Sequence, residues 1–287
     1  MKIYRNEPPK KKKIDWLYYL LWFVICFGIV AASTYPFVSD FVLAQKQKAQ
    51  IEQFNKTDKT QSKADYLSAF YKKKTTTETV QDPFSGQKKT KKSNSVDVAK
   101  SELKTVGVLS IPKIKEVLPI YDNTSEIALD NGVGLLENTS PLVGGKGHHS
   151  VITGHSGLSL SRLFTDLPKL KKGDEFYIKV NNEIHAYKVD QIKVVLPNNI
   201  KYLQIDPDKD LVTLITCTPL FENTHRLLVR GHRVPYKADK QVIENDGGIT
   251  SLGKAAITAI LVLLGLFGLY KLINRKKGKK KWAKKVS

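Results

Sequence analysis

Two stretches of the chain are apolar on every helical face, and between them lies a long region of short alternating runs. The first stretch, Trp16 to Ser39, contains WLYYLLWFVICFGIVAA and no charged residue. Its 24 residues, at about 1.5 Å rise each, suffice to cross a hydrocarbon core about 30 Å thick, which predicts a transmembrane helix over 16–39. A cleaved signal peptide is the competing reading. The run exceeds the roughly 7 to 15 apolar residues of such a signal, and Trp16, Tyr18, Tyr19 and Trp22 suit an interfacial aromatic belt. The second stretch, Ala255 to Tyr270, is 16 residues long and sits between Lys254 and Lys271, whose stems can snorkel to the interfaces. A buried core helix is its plainer reading, and a second transmembrane helix over 255–273 is the expectation.

From Val42 to about Lys104 the chain is polar, with a mildly amphipathic start (FVLAQKQKAQIEQFN, then ADYLSAFY) that predicts one or two helices leading from the membrane. An extended, turn-rich segment follows, with Asp82-Pro83-Phe84 as its one apolar landmark. From about Thr105 to Pro235 the texture becomes β-rich: VGVLSIP, VLPIY, HSVITG, EFYIKV, IHAYKVDQIKVV, LVTLIT and RLLVRGHRV. Asn181-Asn182 reads as a hairpin turn, and SRLFTDLPKL as one short helix. Seven or eight strands at this spacing predict a mainly β fold, a closed barrel or a sandwich. The expected organisation is a basic tail (1–15), a transmembrane helix (16–39), a membrane-proximal helical segment with a loop (40–104), a β domain (105–240), a linker (241–254), a second transmembrane helix (255–273) and a second basic tail (274–287).

Charge changes the picture. The chain of 287 residues carries a formal +20, which by itself raises nucleic acid or an anionic membrane as partner. Residues 1 to 14 hold six basic side chains against Glu7, and Lys271 to Lys285 holds nine with no acid, whereas residues 105 to 270 hold 18 basic against 17 acidic. The excess therefore marks cytoplasmic tails under the positive-inside rule, with the β domain between them extracytoplasmic. Nucleic-acid binding loses its support, because phosphate contacts require the basic groups on the folded domain.

Two cysteines, Cys26 and Cys217, exclude a disulfide scaffold and a Cys-rich zinc module. Cys217 closes LVTLITCTP, a run of strand formers stopped by Pro219. A buried cysteine acting as a small hydrophobe is the common outcome in a strand. A strand end before a proline turn, however, is where a side chain emerges at the rim of a β scaffold, so Cys217 is equally a candidate nucleophile. A thiol with a pKa of about 8.5 needs a base or a cation at hand. Of the six histidines, His155 in VITGHSGL stands just past a strand and leads on geometry, with His225 second. Arg226 opens the strand after the cysteine; if the intervening loop reverses the chain, the guanidinium reaches the level of the thiol and can stabilise a thiolate or an oxyanion. No H-x-x-x-H, C-x-x-C or D-x-D-x-D-G spacing exists, so no metal or other cofactor is expected.

TLITC at Thr213 to Cys217, ITGH ending at His155, and Arg226 on the next strand together resemble the sortases, membrane-anchored cysteine transpeptidases of Gram-positive bacteria. The resemblance covers about Val106 to Val234. CTPLFENTHRLLVRG, the second apolar run and the Asp-Pro-Phe tripeptide are more similar to the class C, pilin-polymerising type than to the housekeeping type. The resemblance implies a closed, roughly eight-stranded β-barrel. It also implies that Cys217 attacks the Thr-Gly carbonyl of an LPxTG-like sorting signal on a pilin and holds the pilin as a thioacyl enzyme. His155 would then protonate the leaving amine and deprotonate the incoming one, Arg226 would stabilise the oxyanion or position the substrate, and a lysine amine of another pilin would be the acceptor. It implies further that a lid covers the site, with Asp82 near Arg226 and Phe84 over Cys217. A cysteine peptidase hydrolysing the same signal, or a housekeeping-type sortase attaching proteins to the cell wall, is the alternative.

Overall fold

The computed structural model describes residues 15–58, 62–73, 82, 84, 103–157, 162–197, 199–237, 252–268 and 271. The basic tails up to residue 14 and from residue 272, the expected lid loop apart from Asp82 and Phe84, and most of the expected linker lie outside the described residues. The chain divides into two compact units, residues 1–38 with 250–287, and residues 39–249.

Helix α1 (Asp15–Asp58) runs for 44 residues. It does not stop at the end of the apolar stretch, because the residues that follow are helix formers such as Ala44, Gln45, Lys46 and Gln47 with no glycine or proline among them. From Leu20 onward it is long and apolar enough to cross a membrane, by length and composition, and many side chains of its apolar stretch, Phe23 and Phe27 among them, are exposed. Helix α4 (Leu252–Gly268) is apolar too, with Ile257, Leu261 and Leu264 exposed. At 17 residues it falls just short of the length that spans a bilayer untilted, so among the described residues α1 alone has both length and composition for a crossing.

In the second unit, the C-terminal part of α1 and helix α2 (Lys63–Lys73) flank the β domain. Ile51 and Phe54 pack on Val108 and Val117, and each such burial stabilises by about 1.5 to 3 kcal/mol. Tyr66 of α2 enters the main core and accepts a hydrogen bond from the Leu142 N–H at 3.2 Å.

The β domain is a closed barrel of eight strands: β1 (Thr105–Ile111), β2 (Glu116–Tyr121), β3 (Val133–Leu135), β4 (His148–Thr153), β5 (Glu175–Val180), β6 (Glu183–Val195), β7 (Asp210–Thr218) and β8 (His225–Val234). They close in the order β1-β2-β3-β4-β7-β8-β6-β5. Closure resolves the choice between barrel and sandwich that the strand spacing left open, and it removes the exposed edges. Leu109, Ile120, Ile152, Phe176 and Leu214 fill the interior. Asn181 and Asn182, with φ of 53° and 57°, form the two-residue turn between β5 and β6. The short helix expected over SRLFTDLPKL is instead a set of turns and a 3-10 turn at Leu167–Lys169. Leu163 there has a φ of 34°, and Pro168 supplies no N–H to a helical ladder. Between β2 and β3 lies a helix that the residue pattern did not suggest, α3 (Glu126–Asn131), capped by the Ser125 hydroxyl on the Ala128 N–H.

Candidate active site

Strands β7 and β8 are antiparallel, and their register sets Cys217 directly opposite Arg226. The Pro219–Asn223 turn reverses the chain: Pro219 O accepts from the N–H groups of Glu222 and Asn223, and Phe221 and Asn223 take positive φ. Cys217 is buried, with 8% of its surface exposed.

Strand β4 lies parallel to β7, with Thr153 opposite Ile215. The Gly154 N–H donates to Ile215 O at 3.1 Å and the Thr216 hydroxyl donates to Gly154 O at 2.8 Å, which extends the register past the strand end. The Ser156 hydroxyl then donates to Cys217 O at 2.7 Å, tying the loop that bears His155 to the residue that bears the thiol. Glycine at 154 permits this approach, because a Cβ there would stand 2.9 Å from both Phe164 and Val133. The Phe164 N–H donates to His155 O at 3.0 Å and holds the loop from its other side.

Arg226 engages four of its five N–H donors. Its Nη1 donates to Asn223 O and His225 O at 2.9 and 3.1 Å, and Nε and Nη2 donate to the two carboxylate oxygens of Asp82 at 2.9 and 2.8 Å. Phe84 lies against the same group, its ring centroid 5.1 Å from the guanidinium carbon and 5.5 Å from the His155 ring. It also packs on an apolar patch of Leu136, Val151, Val195, Ile215 and Leu228. The five residues singled out in the sequence thus gather at one end of β4, β7 and β8. His225 stands one position further out, opposite Thr218, with its ring on Thr224. Phe84, expected over Cys217, has its ring contacts with His155 and Arg226. A small cavity of about 20 Å³, room for a water, lies beside Asp82, Leu136, Ile200, Leu203 and Arg226.

Burial pushes the Cys217 thiol above its ordinary value, the Asp82 carboxylate adds to the rise, and Arg226 opposes it. Burial likewise pushes His155 below its ordinary value, against the opposing charges of Asp130 and Glu126. With Asp82 in place, the pair rests as thiol and neutral imidazole at neutral pH. Among the described residues no group of three or more His, Cys, Asp or Glu has the makeup to hold a metal.

Two features escaped the sequence reading. One is α3, which brings Asp130 to His155. The other is His149, whose ring bridges Gln204 O at 2.9 Å and the Thr213 hydroxyl at 2.7 Å. Ser125 before an acidic first turn and Gly132 after Asn131 were signals for α3, but six residues are too few to show a helical period.

A sortase-domain family model matches residues 109–234. Sortase A of Bacillus anthracis is 27% identical over 233 residues, spanning 80% of this chain and 99% of that protein. Among solved structures, sortase C-1 of Streptococcus pneumoniae is 43% identical, with 66% of this chain and all of that chain covered and a TM-score of 0.55. A second structure, a sortase C of Streptococcus pneumoniae described for its pilin substrate specificity, is 40% identical, with 66% and 97% covered and a TM-score of 0.53. The chain belongs to the sortase family, with class C sortases among its structural neighbours. It is a cysteine transpeptidase.

Proposed function

We propose that this enzyme cleaves an LPxTG-like sorting signal between Thr and Gly and joins the acyl fragment, carried by a pilin, to a lysine amine of another pilin. The observation that carries the reading is the register that sets Cys217 opposite Arg226 and ties the His155 loop to Cys217 O. The Cys217 thiolate attacks the Thr carbonyl, and Arg226, freed from Asp82, donates to the oxyanion. His155 as imidazolium protonates the leaving Gly amine, which leaves a thioester on Cys217. The incoming lysine amine loses its proton to His155 as it displaces the thiolate. The pilin as substrate is supported by the likeness to a sortase C described for its pilin specificity.

Asp82 and Phe84 form a lid that must leave before a peptide enters, as the double hydrogen bond to Arg226 and the packing of Phe84 on His155 and Arg226 support. The enzyme is anchored in the membrane of a Gram-positive bacterium by α1, with α4 as a tilted second crossing. The basic tails lie on the cytoplasmic side and the barrel outside.

Incubating the full chain in detergent micelles with an LPxTG-type peptide and a lysine donor tests the transfer. An amide-linked adduct is expected. Hydrolysis product alone would favour a peptidase and overturn the reading.

A further inference from the structure

We infer that Asp130 is a positioning residue for His155: its carboxylate holds the Nε2–H side of the ring, leaving Nδ1 as the nitrogen that passes the proton between the leaving and the incoming amine. The inference deepens the proposed function and rests on His155 acting there as acid and base.

His155 Nε2 lies 4.0 Å from Asp130 Oδ1, ion-pair range though longer than a hydrogen bond. Phe84 packs against the same ring. Among the described residues, the charged and titratable groups around His155 are Asp130 and Glu126 on α3, Cys217 at the end of β7, and the Asp82–Arg226 pair from the 82–84 segment and β8. Of these, the two α3 acids draw positive charge onto the ring, Asp130 more strongly than Glu126.

The support behind Asp130 is rigid for so short a helix. Ser125 caps α3, Ala128 and Leu129 are fully buried, and the Gln47 side chain of α1 donates to Asn131 O at 2.9 Å, next to Asp130 in the chain. Gly132 lets the following strand start close in, since a Cβ there would meet Pro119 O at 2.7 Å. An acid in the last turn of a helix also opposes the helix dipole, a local cost with no gain visible within α3 itself.

The proton balance fixes the roles of the two nitrogens. Imidazolium carries N–H at both; its Nδ1–H passes to the leaving amine as the C–N bond breaks, and Nε2–H stays toward Asp130. Nδ1 then takes a proton from the incoming amine as the new C–N bond forms, and the ring returns to imidazolium. Because the thiol lies above its ordinary value and the imidazole below, the reactive thiolate–imidazolium pair is a minor form whose share falls with His155 basicity.

The test uses the full chain in detergent micelles. Asp130→Asn is expected to move the acid limb of kcat/KM, measured with an LPxTG-type peptide, to lower pH and to lower the plateau about fivefold, the worth of a unit charge at 4 Å in water. KM should stay unchanged, and Asp130→Glu should recover most of the loss. A profile superimposable on that of the wild type, or a loss with the acid limb unmoved, overturns the inference. Wild type that forms no thioacyl product overturns the proposed function instead. Independently of turnover and of any Asp130 variant, ¹⁵N-histidine spectra of the wild type, assigned by difference with His155→Gln, should show neutral His155 protonated at Nε2. The Nδ1–H tautomer would contradict the assignment.

Discussion

Asp82 and Arg226 form a doubly hydrogen-bonded ion pair, Nε to Oδ1 at 2.9 Å and Nη2 to Oδ2 at 2.8 Å, with 2% and 7% of the two side chains exposed. The two residues stand 144 positions apart in the chain. Four of the five guanidinium N–H donors are engaged by the carboxylate and by the backbone of its own turn, so an oxyanion competes with Asp82 for the Nε–Nη2 edge.

Opening the lid should expose the thiol. Phe84→Ala removes the ring packed on His155 and on the patch around Val151 and Ile215, and Asp82→Ala removes the bonds to Arg226. Each is expected to raise the rate of Cys217 alkylation and peptide turnover on the order of tenfold, the shift that loss of about 1.4 kcal/mol from a closed state produces. Unchanged alkylation would count against occlusion.

The same variants should change the pH at which the thiol ionises. Burial and the Asp82 charge both push Cys217 above the ordinary thiol value, whereas Arg226 pulls it down. In the wild type the midpoint of the alkylation rate against pH should lie above that of a free thiol; in Asp82→Ala, where Arg226 acts unopposed, it should fall. A midpoint that stays or rises refutes the electrostatic reading.

Arg226 should separate lid opening from catalysis. Arg226→Ala leaves Asp82 without its cation in a buried site, a situation that costs about 3 to 5 kcal/mol if the lid stays closed, so the lid should open. Cys217 alkylation is then expected to increase while turnover falls by about 10² to 10³, the usual cost of losing an oxyanion donor. Arg226→Lys keeps the charge without the fork and should recover little of the turnover. Parallel loss or parallel gain of both readouts would contradict the two roles.

Gly154 offers a probe at the backbone. In Gly154→Ala the new methyl meets Phe164 and Val133 at 2.9 Å, so either those side chains or the His155 loop must shift. Overpacking of this kind costs about 1 to 3 kcal/mol, readable as a lowered Tm, and turnover should fall further than stability alone explains. A variant with wild-type turnover would show that the loop tolerates displacement.

Much of this site was legible in the sequence because its parts are strand ends. Cys217 closes a run of strand formers before Pro219, Arg226 opens the next run, and His155 follows a third, so local propensity alone set each at a rim. What linked the three was β4 running parallel to β7, a pairing between distant segments that no local pattern encodes. The meeting of Asp82 with Arg226 was suggested by family resemblance alone, because an acid in a polar loop has no periodicity to place it 144 residues away, on Arg226. Strand β3, with three residues, and α3, with six, are too short for any period, which is why Asp130 went unseen. Helix over FVLAQKQKAQIEQFN was expected, but not its fusion with the apolar stretch into one helix ending at Asp58, because hydropathy marks the membrane limit and not the helix limit.

The central claim is that Cys217 is the nucleophile that carries the acyl group. Intact-mass analysis of the full chain, quenched in acid during turnover of an LPxTG-type peptide, tests it most directly. A species heavier by the acyl fragment ending in Thr, localised to Cys217 and absent in Cys217→Ala, is the predicted result. Turnover with no such adduct, or an adduct that persists in Cys217→Ala, would contradict it.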